Sequence, residues 1–201
     1  MHVYTYLALG DSYTIGEAVP LNESFPYQVV QLLRKKDFNF NAPEIIARTG
    51  WTTDELQQAL SQASLLSKYD FVTLLAGVNN QYRGRDPIEY TQQMEDLLKK
   101  AVELVNGKKD HVIVMSIPDY SVTPHANGMD VEKISKEIEV FNGINKALSI
   151  QYKVLHVDIT TGSKEALNDP SLLSHDGLHP SGTEYRRWAE KVVEVITSNL
   201  K

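Results

Sequence analysis

The chain has 201 residues, 42% of them hydrophobic and 23% charged, with a formal net charge of −6. That balance suits one globular domain with a substantial core and argues against a nucleic-acid partner, which needs clustered Lys and Arg. The absence of cysteine excludes disulfides, thiolate metal sites and a cysteine nucleophile. No apolar run approaches the roughly 20 residues that a membrane-spanning helix needs. Met1 to Tyr6 runs directly into a strand-like stretch without a basic-then-apolar signal, so a cytoplasmic protein is expected.

Val3 to Leu9 is strand-favouring and stops at Gly10, after which a polar loop carrying Ser12 is expected. A helix follows over Pro26 to Lys36, with Ser24 as its N-cap and Val29, Val30, Leu32 and Leu33 facing inward. Its basic end, Arg34-Lys35-Lys36, complements the helix dipole, as Lys108-Lys109 does later. A second strand falls on Glu44 to Ala47 and ends in Arg48-Thr49-Gly50. Thr52-Thr53-Asp54-Glu55 reads as a capping box opening a helix to about Ala63.

Phe71-Val72-Thr73-Leu74-Leu75 is nearly continuous in apolar character, as a strand buried on both faces requires, and Gly77-Val78-Asn79-Asn80 follows its end. Asp86-Pro87 starts a helix reaching about Val105, and Val112 to Met115 is a further strand closed by Pro118. Ile117 to Asp130, with two prolines and Asn127-Gly128, reads as loop. Val131 to Tyr152 is helical in pattern, Val154 to Ile159 is the last strand, and Thr160 to Leu178 is mostly loop with a helical turn near Lys164 to Leu167. Ser181-Gly182-Thr183-Glu184 is a second capping box, opening a helix that turns Trp188, Ala189, Val192, Val193 and Ile196 inward.

Strand and helix thus alternate about five times without repeat or linker, which predicts one α/β domain: a mostly parallel five-stranded sheet in a three-layer α/β/α arrangement. In such folds the residues just past the strand ends converge on one rim. Ser12, Gly50, Asn79, Asp176 and His179 all fall there. Serine is a poor nucleophile without a base in hydrogen-bond reach, and histidine, with a reference pKa of about 6.5, can serve as that base. Asp176 and His179 lie three apart in a tight loop, so the carboxylate can hold the imidazole while the imidazole faces Ser12. Taken singly, each residue also has an ordinary structural reading: a turn serine, a glycine with positive φ, a turn-capping asparagine, a loop histidine.

Four ordered blocks, Gly10-Asp11-Ser12, Thr49-Gly50-Trp51, Gly77-Val78-Asn79-Asn80 and Asp176-Gly177-Leu178-His179-Pro180, resemble those of the SGNH, or GDSL-type, hydrolases and span nearly the whole chain. The resemblance implies a flavodoxin-like SGNH fold and ester hydrolysis through an acyl-enzyme, with no cofactor and a small-molecule ester as partner. It implies Ser12 as nucleophile, His179 rather than the neighbouring His175 as base, Asp176 as its carboxylate, and Ser12, Gly50 and Asn79 as oxyanion donors. Two positions depart from the family pattern: Tyr13 stands where leucine follows the serine, and Asn80 where the third block often ends in aspartate. Neither is a proton-transfer or oxyanion group, but Tyr13 is placed to affect the substrate pocket.

Two other readings compete. A flavodoxin-like module would use Ser12 to Gly16 as a phosphate loop, which Asp11 disfavours electrostatically. A metal-dependent phosphoesterase would use His175, Asp176 and His179 as ligands, but no second acidic cluster joins them. For the substrate, none of the loops near the rim carries a long apolar segment, and Ile117 to Asp130 is polar and aromatic, with Tyr120, His125 and Asn127. Short acyl groups, acetyl-type and carried on a carbohydrate among other alcohols, are therefore expected, with a longer-chain lysophospholipase or thioesterase as the alternative.

Overall fold

The computed structural model describes residues 2–200. Its centre is a sheet of five strands: β1 (Tyr6–Gly10), β2 (Glu44–Ala47), β3 (Phe71–Leu75), β4 (Val112–Met115) and β5 (Leu155–Val157). All neighbouring pairs are parallel, in the order β2-β1-β3-β4-β5. Every residue of β1, β3 and β4 is buried, which is why these strands read as unbroken apolar runs rather than alternating ones. Burying a leucine such as Leu7 or Leu9 contributes about 1.5–3 kcal/mol.

Eight helices flank the sheet among the described residues: α1 (Ser12–Ile15), α2 (Phe25–Arg34), α3 (Thr53–Gln62), α4 (Val78–Tyr82), α5 (Pro87–Leu104), α6 (Val131–Tyr152), α7 (Thr160–Ser163) and α8 (Gly182–Asn199). The long ones form two groups, α2 against α8 and α3 with α5 and α6, so the sheet is covered on both faces. The capping signals work as their chemistry dictates. Thr52 N–H donates to Glu55 Oε2 at 2.9 Å, and Ile88 N–H to Asp86 Oδ1 at 2.7 Å.

Strand register sets the position of the site. Gly10 at the end of β1 pairs with Ala47 of β2 on one side and Leu75 of β3 on the other. The chain therefore leaves these three strands at one level, and the segments after Gly10, Ala47 and Leu75 meet on one rim. The order turns at β1 and β3, since the chain moves outward to β2 and then back across β1. In open α/β sheets that reversal opens a crevice at the carboxyl ends of the strands.

The structure differs from the sequence expectation at several points. Ser12 is not in a loop but opens the one-turn helix α1, because Asp11 caps it and Gly16, at φ 78°, ends it. Gly10 makes that corner possible, since a Cβ there would lie 2.1 Å from Thr14 Oγ1 and 2.3 Å from the Leu75 carbonyl. Ser24 precedes α2 but does not cap it; its hydroxyl donates back to the Leu21 carbonyl at 2.9 Å. The second capping box is half formed. Ser181 Oγ accepts from Glu184 N–H at 3.4 Å, while the Glu184 carboxylate turns instead to Trp188 Nε1 and Arg187. Asn79 and Asn80 lie in α4 rather than a turn, and the loops 117–130 and 160–178 contain α7 and short 3₁₀ turns.

Candidate active site

Ser12 is held by its own corner. Asp11 Oδ1 accepts the Tyr13 N–H at 3.0 Å, and the Asp11 carbonyl accepts from Thr14 and Ile15. As the first residue of α1, Ser12 has a backbone N–H with no partner within the helix. Burial pushes the Asp11 carboxyl up to about 7, outweighing the Tyr13 N–H that favours its charge. Asp11 thus stays largely uncharged below neutral pH, and its Oδ2 has no hydrogen-bond partner among the described residues.

The imidazole arrives from the other end of the chain, on a loop closed on itself. Leu173 bridges Pro180, and Ser174 N–H donates to the His179 carbonyl at 2.7 Å. Inside it, Asp176 Oδ1 accepts from the N–H groups of Leu178 and His179, each at 3.0 Å. Asp176 Oδ2 lies 2.6 Å from His179 Nδ1, and His179 Nε2 lies 3.0 Å from Ser12 Oγ. These partners set the tautomer: Nδ1–H donates to the carboxylate, and Nε2 is left to accept the Ser12 hydroxyl proton. Burial pushes the Asp176 carboxyl up, but the His179 ring and the two backbone N–H groups outweigh it and hold the group below the ordinary carboxylate range. Both Ser12 and His179 are buried, and the Tyr13 ring packs against the imidazole at 5.3 Å between centroids. His175 is exposed, and its Nδ1 faces Ser174 Oγ at 3.3 Å.

Asn79 reaches the same place from α4. One hydrogen of its Nδ2 is taken by the Trp51 carbonyl at 3.0 Å, which fixes the amide and leaves its second hydrogen unassigned. Gly50 sits one residue before Trp51 at φ 82°, a conformation that suits glycine. Its carbonyl accepts from the Arg83 guanidinium, and it does not line the cavity beside Ser12. The structure therefore brings Ser12, Asn79, Asp176 and His179 together, with Gly50 next in the chain to the Trp51 carbonyl that holds Asn79. Asn80 is structural. It accepts from Thr53 N–H at 3.0 Å and donates to Thr53 Oγ1 at 2.7 Å, joining α4 to the start of α3.

A cavity of about 180 Å³ opens over Ser12. It is lined by Ser12, Asn79 and His179, by Tyr13, Val78 and Leu178, and by Tyr82, Tyr120 and His125. The sequence singles out Tyr13, Tyr120 and His125 and holds Val78 and Leu178 within its third and fourth blocks, but it does not single out Tyr82. An aromatic two residues past the Gly-Val-Asn-Asn block is the available signal for Tyr82. Among the described residues no group of three or more His, Asp or Glu is arranged to hold a metal ion, and no helix is long and apolar enough to cross a membrane. Chemically, the arrangement can remove a proton from Ser12 as its oxygen attacks a carbonyl and return that proton to a leaving group.

Comparison with known proteins agrees in fold and family. The GDSL-like lipase/acylhydrolase family matches residues 8–187. The structure resembles the crystal structure of TesA at 20% identity and TM-score 0.75, over 96% of this chain and 98% of that one. It also resembles a member of the lipolytic G-D-S-L family from Veillonella parvula DSM 2008, at 20% identity, TM-score 0.74, and 98% and 99% coverage. A third likeness is Axe2, an acetylxylan esterase from Geobacillus stearothermophilus, at 20% identity, TM-score 0.75, and 96% and 94% coverage. At this identity the solved structures bear on fold alone. A search of curated protein sequences finds no match.

Proposed function

The chain belongs to the GDSL-like lipase/acylhydrolase family, and from that premise we propose that it hydrolyses short-chain carboxylic esters through a covalent intermediate on Ser12. The observation that carries this reading is the position of His179, 2.6 Å from Asp176 and 3.0 Å from Ser12. Both distances lie within general-base reach, in a site where nucleophile and base are buried. In this reading His179 takes the Ser12 proton during attack and gives it to the departing alcohol. Water then repeats the sequence on the acyl-enzyme.

The oxyanion formed on attack needs donors fixed in advance. The Ser12 N–H and the remaining Asn79 amide hydrogen are assigned that role, with the Gly50 N–H as a third donor expected from the family pattern. Asn79→Ala is expected to lower kcat by about 10²–10³, because one donor to the developing charge is lost while substrate binding changes little. A rise in KM with kcat intact would instead make Asn79 a substrate-positioning residue.

The cavity bears on acyl length. Pockets for drug-sized ligands run to about 300–1,000 Å³, so 180 Å³ favours acetyl and similar groups over fatty chains. A p-nitrophenyl ester series from acetate to palmitate, below micelle formation and beside a panel of acetylated sugars, tests this. Turnover is expected to peak at acetate to butyrate. Faster cleavage of decanoate or palmitate would favour the lysophospholipase or thioesterase alternative.

A further inference from the structure

Once Ser12, Asn79 and His179 are committed to the ester group, the rest of the cavity wall is made of rings and aliphatic side chains. Val78, Leu178 and the Tyr13 ring are apolar, and Tyr82, Tyr120 and His125 form a corner of three rings. Their centroids are 6.1 Å apart for Tyr82 and Tyr120, 6.2 Å for Tyr82 and His125, and 6.3 Å for Tyr120 and His125. The planes meet at 63°, 44° and 66°, so the rings do not stack on one another. The three rings thus meet one another at the separations aromatic pairs prefer, and together they form one wall of the cavity.

Two of the three rings are carried on backbone that is itself tied down. Tyr120 is buried, and the neighbouring Asp119 accepts from Ser121 N–H at 3.0 Å and Ser135 Oγ at 2.6 Å while pairing with Lys164 at 3.3 Å. His125 is tied to the Asp176–His179 loop, its N–H donating to the Gly177 carbonyl at 3.2 Å. Tyr82, at the end of α4, is 54% exposed and forms the outer lip. The 180 Å³ also holds the ester group, and since one benzene takes a cavity of about 150 Å³, there is room for no more than a single ring.

We propose that Tyr82, Tyr120 and His125 form a specificity corner that selects esters carrying a single flat, weakly polar ring. This rests on the esterase reading above and adds the substrate class to it. The ring can be carried by the alcohol or by the acyl group, and two matched pairs distinguish these sources. Benzyl acetate against n-hexyl acetate places the ring in the leaving group. Ethyl phenylacetate against ethyl hexanoate places it in the acyl group.

The wild-type protein is expected to prefer the ring ester about tenfold in kcat/KM in one pair, mostly through KM. Tyr82→Leu, which keeps an apolar side chain but removes the ring at an exposed position, is expected to reduce that preference to near one. Tyr82→Phe is expected to retain it. Saturation-transfer NMR of benzyl acetate and ethyl phenylacetate on the Ser12→Ala variant gives a readout that needs no turnover. Ring protons should be saturated for the preferred ester, and the signal should be lost in Ser12→Ala/Tyr82→Leu. Binding without hydrolysis by the wild type would support the corner while removing the esterase reading. Hydrolysis with no ring preference in either pair, or a preference unchanged in Tyr82→Leu, would overturn the corner and leave the esterase reading standing.

Discussion

Replacing Ser12 with alanine is expected to reduce ester hydrolysis by roughly 10⁶-fold while the protein stays folded. The hydroxyl is buried and its side-chain partner is His179 Nε2, so its removal leaves one imidazole nitrogen unsatisfied and costs about 1–3 kcal/mol. The strands, the Asp11 cap and the Gly10 corner do not depend on it. A fluorophosphonate probe should label Ser12 alone, read by mass spectrometry of the modified peptide. Attachment to any other serine, or full activity in the alanine variant, would remove Ser12 from the proposed role.

Changing His179 to alanine should lower kcat by several orders of magnitude, because nucleophile and base act as one unit. His175→Ala should have a much smaller effect, since that ring is exposed and faces Ser174 rather than Ser12. The pH profile carries a second check. Asp176 is held below the ordinary carboxylate range, so it remains ionised until well into acid and does not set the first loss of activity. As an acid with a lowered pKa in the folded state, it adds stability at neutral pH that fades only as pH falls through that lowered value. The first fall of kcat/KM on acidification should therefore not track protonation of Asp176. A larger loss in His175→Ala would mean that the base is the other histidine.

The parts of this structure most legible in the sequence are those governed by local chemistry. Glu44 to Ala47 and Val112 to Met115 are legible with their observed bounds, because apolar runs between turn signals leave few alternatives. The meeting of Ser12 with Asp176 and His179 is legible from block order and strand ends. What stays hidden depends on partners distant in sequence or on competing bonds. Glu184 looks like the return half of a capping box, yet the buried Trp188 indole competes for its carboxylate. Ser24 has the residue type of a cap, yet the Leu21 carbonyl takes its hydroxyl. Tyr82 follows the third block in the sequence, but Tyr120 and His125 come beside it only in the fold.

The closed loop that carries Asp176 and His179 ties reactivity to the order of assembly. Carboxylate and imidazole are near neighbours along the chain and can find each other locally. Ser12 lies 167 positions away from its imidazole, so their contact requires the sequence to fold back almost end to end. Contacts of such separation must overcome their loop-closure entropy before they return any stabilisation. The loop is brought into place by α8, whose Trp188 packs against Phe25 and Tyr13. A partly folded chain with its first three strands paired would hold the serine in its corner beside Asn79 with nothing to take the proton. On the proposed roles, reactivity requires the docking of the last helix and not secondary structure alone.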